Sequence, residues 1–179
     1  MRQTLTAALF ALPFLAGAAL AVGDDDSPPK PTETSTECPD GYVFDKEKDG
    51  CVKSASLDLD DDQRYQAVRE LAYAGRYDDA QGVLRAMADQ SDDRVLTYWG
   101  FTHRKMGNAV LAQAFYEKAI AANPDNILAR SYMGQGFVES GDMDAAIAQW
   151  REIKARGGEG SWAEAALREA IRSGTTYSY

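Results

Sequence analysis

Tyr98–Asn108 reads YWGFTHRKMGN and sets a glycine between two aromatic residues inside a run whose apolar side chains recur at helical spacing. Glycine in a helix interior costs about 1 kcal/mol against alanine, because the bare backbone loses more freedom on folding and adds no packing. Gly100 therefore implies a second helix lying close enough that a side chain would hold it off. The stretch ends in Gly107-Asn108, a left-handed stop followed by a residue suited to accept the orphan amides of a new helix. Helix, stop and second helix make a helical hairpin.

Working outward, the hairpin recurs. ELAYAGRYDDA, THRKMGNAVLA and VESGDMDAA align on Gly75, Gly107 and Gly141, which lie 32 and 34 residues apart. A period of about 34 residues holding two helices resembles the tetratricopeptide repeat. The middle unit, 93–126, carries the resemblance best. Leu96, Trp99, Gly100 and His103 occupy the first-helix signature, followed by Ala112, Tyr116, Ala119 and Pro124. The next unit, 127–160, supplies Met133, Gly134, Phe137, Ala146, Trp150 and Ile153, with Arg130 in an apolar slot and Gly158 in place of the proline. The leading unit, 61–92, keeps Leu71, Ala80, Leu84 and Met87 but has Arg64 and Val68 at two signature positions. Terminal repeats are commonly atypical because one face meets no neighbour.

The resemblance implies an all-α fold, a short solenoid of three helix-turn-helix repeats. Gly100 and Gly134 are expected where the first helix of each unit crosses its second, opposite Ala112 and Ala146, with Trp99, Tyr116 and Trp150 as core. Asn108 and Asp142 are expected to cap the second helices. Ser161 and Glu164 stand in capping-box relation, so a capping helix over 161–173 should cover the last repeat, giving a repeat domain of 57–174 before a disordered tail, 175–179.

Upstream, MRQTLTAALFALPFLAGAALAVGDDD has Arg2, an apolar run Ala7–Val22 and small residues at Ala19 and Ala21, the layout of a signal peptide cut after residue 21. The run is 16 residues long and broken by Pro13 and Gly17, short of the roughly 20 that a membrane span needs. Losing Arg2 would take the net charge from −9 to −10, which argues against nucleic acid as a partner. Residues 22–37, rich in Asp, Pro, Ser and Thr, read as a disordered linker. Export is therefore expected, to the periplasm if the source is Gram-negative and otherwise to the medium.

Cys38 and Cys51 are the only cysteines, and in an oxidising compartment they predict a disulfide stapling a small hairpin, 38–56, around Tyr42-Val43-Phe44 and the Asp49-Gly50 turn. The segment resembles two-cysteine modules that follow the signal in exported bacterial proteins. Asp45, Glu47, Asp49 and Gly50 match the opening of a calcium loop. Lys53 and Ser56 then stand where oxygen ligands belong, so the stretch reads as a charged turn.

Catalysis finds little to work with. The chain has one histidine, His103, on a core position and expected to be packed and satisfied. ARGGEG lacks the lysine of a phosphate loop and ends a helix, and LDLDDD reads as the cap of the first repeat helix. No cofactor is expected. The family resemblance implies instead a concave groove that holds a partner peptide or protein. Carried over, its lining falls on Tyr65, Arg69 and Tyr73; on Arg94, Thr97, Phe101, Arg104 and Lys105; and on Leu128, Ser131, Gln135, Val138 and Glu139. Four basic residues beside aromatic ones predict a carboxylate-bearing segment with an apolar anchor. No groove position is asparagine, so the family's best-known peptide-terminus clamp is not implied. Self-association through the array's ends is the alternative, and a calcium-binding module the third.

Overall fold

Gly75, Gly107 and Gly141 all adopt left-handed backbone, with φ of 76°, 82° and 82°, and each closes the same stop. The amide one residue past the glycine reaches back to a carbonyl five residues upstream, Arg76 to Leu71 at 2.9 Å, Asn108 to His103 at 2.8 Å and Asp142 to Phe137 at 2.8 Å. This is the Schellman turn, which satisfies the last carbonyls of one helix and starts the next. The computed structural model describes residues 37–176, and there the three turns join α1 (Asp61–Tyr73) to α2 (Tyr77–Ala86), α3 (Asp93–Lys105) to α4 (Ala109–Ala122), and α5 (Ile127–Ser140) to α6 (Met143–Ala155). A seventh helix, α7 (Trp162–Ser173), follows. Thus the all-α fold of three stacked helical hairpins and a covering helix is present. The signal-like segment, nearly all of the linker, and Tyr177–Tyr179 lie outside the described residues.

Most helix starts are capped by a side chain. Asp60 and Gln63 form a reciprocal capping box on α1, at 2.7 and 2.9 Å, so the acidic run does cap the first repeat helix. Asp92, Asn126, Asp142 and Ser161 cap α3, α5, α6 and α7. Two expectations need correction. Asn108 makes no side-chain cap bond, although its backbone (φ −89°, ψ 63°) is close to that of Asp142 (φ −84°, ψ 75°). Ser161 accepts the Glu164 amide at 3.1 Å, but the Glu164 carboxylate turns away to the Trp150 indole N–H at 2.6 Å and to Arg168.

The two internal glycines are needed for different neighbours. A Cβ on Gly100 would sit 2.5 Å from the Tyr116 ring, on the second helix of its own unit. On Gly134 it would sit 2.6 Å from a Leu167 methyl of α7, so this close approach joins α5 to the covering helix and not to α6 as expected. The reason is that α7 lies against α5 as the first helix of a further unit would. Ala112 and Ala146 are buried, but neither is the atom that a Cβ would meet first. Gly158, in the slot of the expected proline, would bring a Cβ within 2.7 Å of Ile153 and 3.2 Å of Ile127. Trp99 and Trp150 are half-buried, while Tyr116 is wholly interior.

Before the helices, β1 (Tyr42–Asp45) and β2 (Gly50–Lys53) pair antiparallel, with Val43 opposite Val52 and Phe44 opposite Cys51. Asp49 takes φ 48° at the turn, and the Cys38–Cys51 disulfide is formed. The hairpin is fastened to the first helical pair. Arg64 donates to the carbonyls of Ser54 at 3.1 Å and Ser56 at 2.7 Å, and Arg76 donates to that of Cys38 at 2.8 Å. Arg64, anomalous as a repeat residue, is thereby accounted for: it holds the staple on the end of the stack.

Candidate functional site

Four tyrosines spaced along the first helices of successive units decide what the hollow face looks like. Tyr65 meets Tyr98 edge-on at 5.6 Å, Phe101 lies 4.8 Å from Tyr132, and the Tyr73 hydroxyl contacts those of Tyr98, at 3.2 Å, and Tyr132. Neighbouring first helices bring these rings into one cluster, continued by Trp162 against Tyr132. Of the expected groove residues, Tyr65, Arg69, Thr97, Phe101, Arg104, Leu128, Ser131, Gln135 and Val138 are buried, Tyr73, Arg94 and Lys105 half-buried, and Glu139 exposed. Much of the expected lining is therefore core, since large rings from adjacent helices fill the space between them. Tyr98 and Tyr132, just outside the carried-over positions, are the members that the repeat register passed over.

Polar groups on this face are spent internally. Thr97 donates to the Asp93 carbonyl at 2.6 Å and accepts from Asn126 at 3.0 Å, while Ser131 donates to the Ala163 carbonyl at 2.7 Å. Gln135 donates to Ser131 at 3.3 Å. The basic residues do not form one open patch. Arg94 pairs with Asp62 and Asp92, both at 3.1 Å, and lies 4.9 Å over the Tyr65 ring. Arg69 also stands over Tyr65. Lys105 lies over Phe101, and burial, followed by the adjacent Arg104, lowers its pKa.

Arg104 alone leads somewhere else. It is 6% exposed, on the last turn of α3, and lines a cavity of about 490 Å³ between α3, the first half of α4 and the second half of α5. Apolar walls come from Val110 of α4 and from Met133 and Phe137 of α5. Gly136 makes room, since a Cβ there would come within 3.3 Å of the Arg104 side chain. One terminal nitrogen, Nη1, donates to Glu139 at 2.5 Å, and Nε and Nη2 are buried. The hydroxyl of Tyr116, a residue that also lines the cavity, is buried and interacts with Arg104. Burial opposes the Arg104 charge, yet Tyr116 and Glu139 outweigh it and its pKa is raised. Burial pushes the Tyr116 hydroxyl up to about 12, with Arg104 pulling the other way.

Three large apolar side chains between residues 106 and 111 are exposed, and Val110 among them lines the cavity. Val110 is 85% exposed, Leu111 50% and Met106 40%. The sequence carries a signal of this: Ala109–Ala122, AVLAQAFYEKAIAA, has apolar residues on all sides, and a helix of that kind has more than one face to cover. Arg104, Met133 and Phe137 could not be joined to its Gln113 and Tyr116, because they come from other helices.

His103 stacks on Trp99 at 5.8 Å and Phe115 at 5.5 Å, and burial lowers its pKa. Its ring is packed as expected, but its buried Nδ1 lacks the expected hydrogen-bond partner. In the hairpin turn, Asp45 accepts from the amides of Glu47 and Lys48 at 2.9 and 3.3 Å, and Lys48 bonds to Asp58. Among the described residues no group of three or more His, Cys, Asp or Glu is arranged to hold a metal ion, and no helix is long and apolar enough to cross a membrane. Compared with family models, curated proteins and solved structures, the chain matches none.

Proposed function

We propose that this chain is a tetratricopeptide-like, non-enzymatic binding scaffold of the exported compartment, and that it captures a partner polypeptide. Support for export comes from the signal-like segment and from the Cys38–Cys51 disulfide, since such bonds persist in oxidising surroundings. Support for binding comes from the repeat spacing and from the stacked helical hairpins, which present rigid helix faces. The observation that carries it is Val110, 85% exposed on the wall of a cavity, with Leu111 exposed beside it in sequence. Contiguous apolar surface of this kind marks interaction sites.

The recognition face is therefore the α3–α4–α5 edge, with an apolar anchor of the partner resting on Val110 and Leu111. Capture from the exported fraction of the source tests this with three baits: the parent, a Val110→Asp/Leu111→Asp variant, and Leu57→Asp as a control at a fully exposed leucine elsewhere. The double variant is expected to lose partners that the parent and the control retain. Equal recovery by all three would refute the reading. The same surface could seat a second copy of the chain; light scattering across a concentration series separates self-association from capture of another protein.

A further inference from the structure

We infer that the α3–α4–α5 cavity takes an aromatic side chain of a partner polypeptide whose neighbouring residues are basic, the ring entering between Val110, Met133 and Phe137 and the cations meeting Glu117 and Glu139. The inference rests on the reading of this edge as a recognition face and names the chemistry of what is recognised. The walls favour a ring. Met133 brings a thioether, which is favourable near an aromatic group, and Phe137 brings a ring against which another packs edge-on or offset. At about 490 Å³ the cavity has the size and the largely apolar lining of a site for a compact group. Val110 is 85% exposed, so one wall reaches the surface and is open to an approaching segment.

The accessible charge beside those walls is negative. Arg104, the cation in the lining, is 6% exposed and already committed, since Nη1 donates to Glu139 at 2.5 Å and its charge interacts with Tyr116. Glu139 is the exposed member of that pair, and its bonds to Arg104 and Thr176 both fall on Oε1. Glu117, exposed on α4, stands one hydrogen bond from the lining: Gln113 Nε2 donates to it at 2.9 Å and lies 3.4 Å from the Met133 sulfur. The lysines of α3 and α4 are turned to other rings, Lys105 to Phe101 and Lys118 to Phe115, neither of which lines the cavity. The last turns of α3 and α5 end at the cavity while only α4 begins there, so two negative helix ends face one positive. On a chain of net charge −9, such an edge draws a cationic segment and repels an anionic one. The sign is the reverse of that expected from the first-helix cations, because packing buries or pairs most of them.

Titrations of the disulfide-intact protein with three end-blocked peptides test the inference: a phenylalanine flanked by lysines, the same peptide with glutamates for the lysines, and the lysine peptide with serine for the phenylalanine. The first is expected to bind about tenfold more tightly than either of the others. Its advantage over the glutamate peptide should narrow as salt rises from about 0.05 to 0.5 M. Glu117→Gln is expected to weaken the lysine peptide about threefold, the size of one exposed ion pair. Val110→Lys, at an exposed wall position, should weaken it by about tenfold or more and favour the glutamate peptide instead. Lysine and glutamate peptides binding alike, with the serine peptide weaker, would overturn the inference and leave the apolar recognition face standing. No binding of any peptide at millimolar concentration would also overturn it, and the capture comparison would then decide the broader reading separately. Unchanged affinity in Val110→Lys would put the peptide elsewhere on the protein and overturn it as well.

Discussion

Replacing Gly100 by alanine should destabilise this protein, although alanine is the better helix former. The added Cβ would stand 2.5 Å from Cδ1 and Cε1 of Tyr116 and 2.9 Å from Cζ, where ordinary contact begins at 3.4 Å. The ring is 1% exposed and belongs to a helix paired with α3, so it has no free direction and the two backbones must part. Overpacking of this kind costs about 1–3 kcal/mol, and an overlap of nearly 1 Å on a rigid ring belongs at the upper end. Helix propensity returns about 1 kcal/mol, leaving a net loss of about 2 kcal/mol. Gly82, in the interior of α2, has nothing within 4 Å of its Cβ position and no left-handed backbone. Gly82→Ala should therefore stabilise by about 0.5–1 kcal/mol. Urea unfolding of both variants with the disulfide intact gives the comparison, and the two should change in opposite directions. If Gly100→Ala matched Gly82→Ala, the claim that α3 and α4 meet too closely for a side chain would be wrong.

Opening the Cys38–Cys51 bond, by reductant or by double alanine substitution, should lower stability by about 3 kcal/mol in the chain-entropy model for a loop of this size, read as an earlier urea midpoint; no change would mean that the hairpin adds nothing to the stack. Alkaline titration should expose Tyr116. Its hydroxyl is held up to about 12 in the folded state against about 10 unfolded, so the unfolded chain releases the proton first and stability falls as pH rises from about 10 to 12, by on the order of 3 kcal/mol. Tyr116→Phe should flatten part of that fall, and an unchanged slope would show that the hydroxyl is not buried. Glu164→Gln should destabilise by about 1–3 kcal/mol, because the nearly inaccessible carboxylate accepts from the Trp150 indole and pairs with Arg168; a thermal midpoint equal to that of the parent would show that these bonds do not tie α7 to α6.

Much of the architecture is legible because its causes are local. A left-handed glycine ends a helix within a few residues of where it stands, and a period set by such glycines counts the hairpins. Asp60, Asp142 and Ser161 cap helices they immediately precede. The disulfide follows from there being two cysteines and no others. Where reading failed, the cause lay outside the local chain. Asn108 and Asp142 look equivalent in sequence and nearly so in backbone, yet only Asp142 caps. Gly134 looks like Gly100, but its close neighbour is Leu167, 33 positions later, because α7 continues the stack. Carried-over groove positions were expected to stay open to a partner, and here rings from adjacent first helices pack against one another and bury many of them.

The order of helices, their stops and the covering helix were determined by the sequence on its own, since each depends on side chains and backbone preferences within about one turn, and the cysteine pairing followed from there being only two. Which residues are core, which charges are paired and which donors are left without acceptors was decided only when helices distant in sequence came together. Arg104 shows the difference. In sequence it is one of several cations on a helix face, but packing buries it, closes Glu139 over one nitrogen and sets Tyr116 beside it on the wall of a cavity that no single helix encloses.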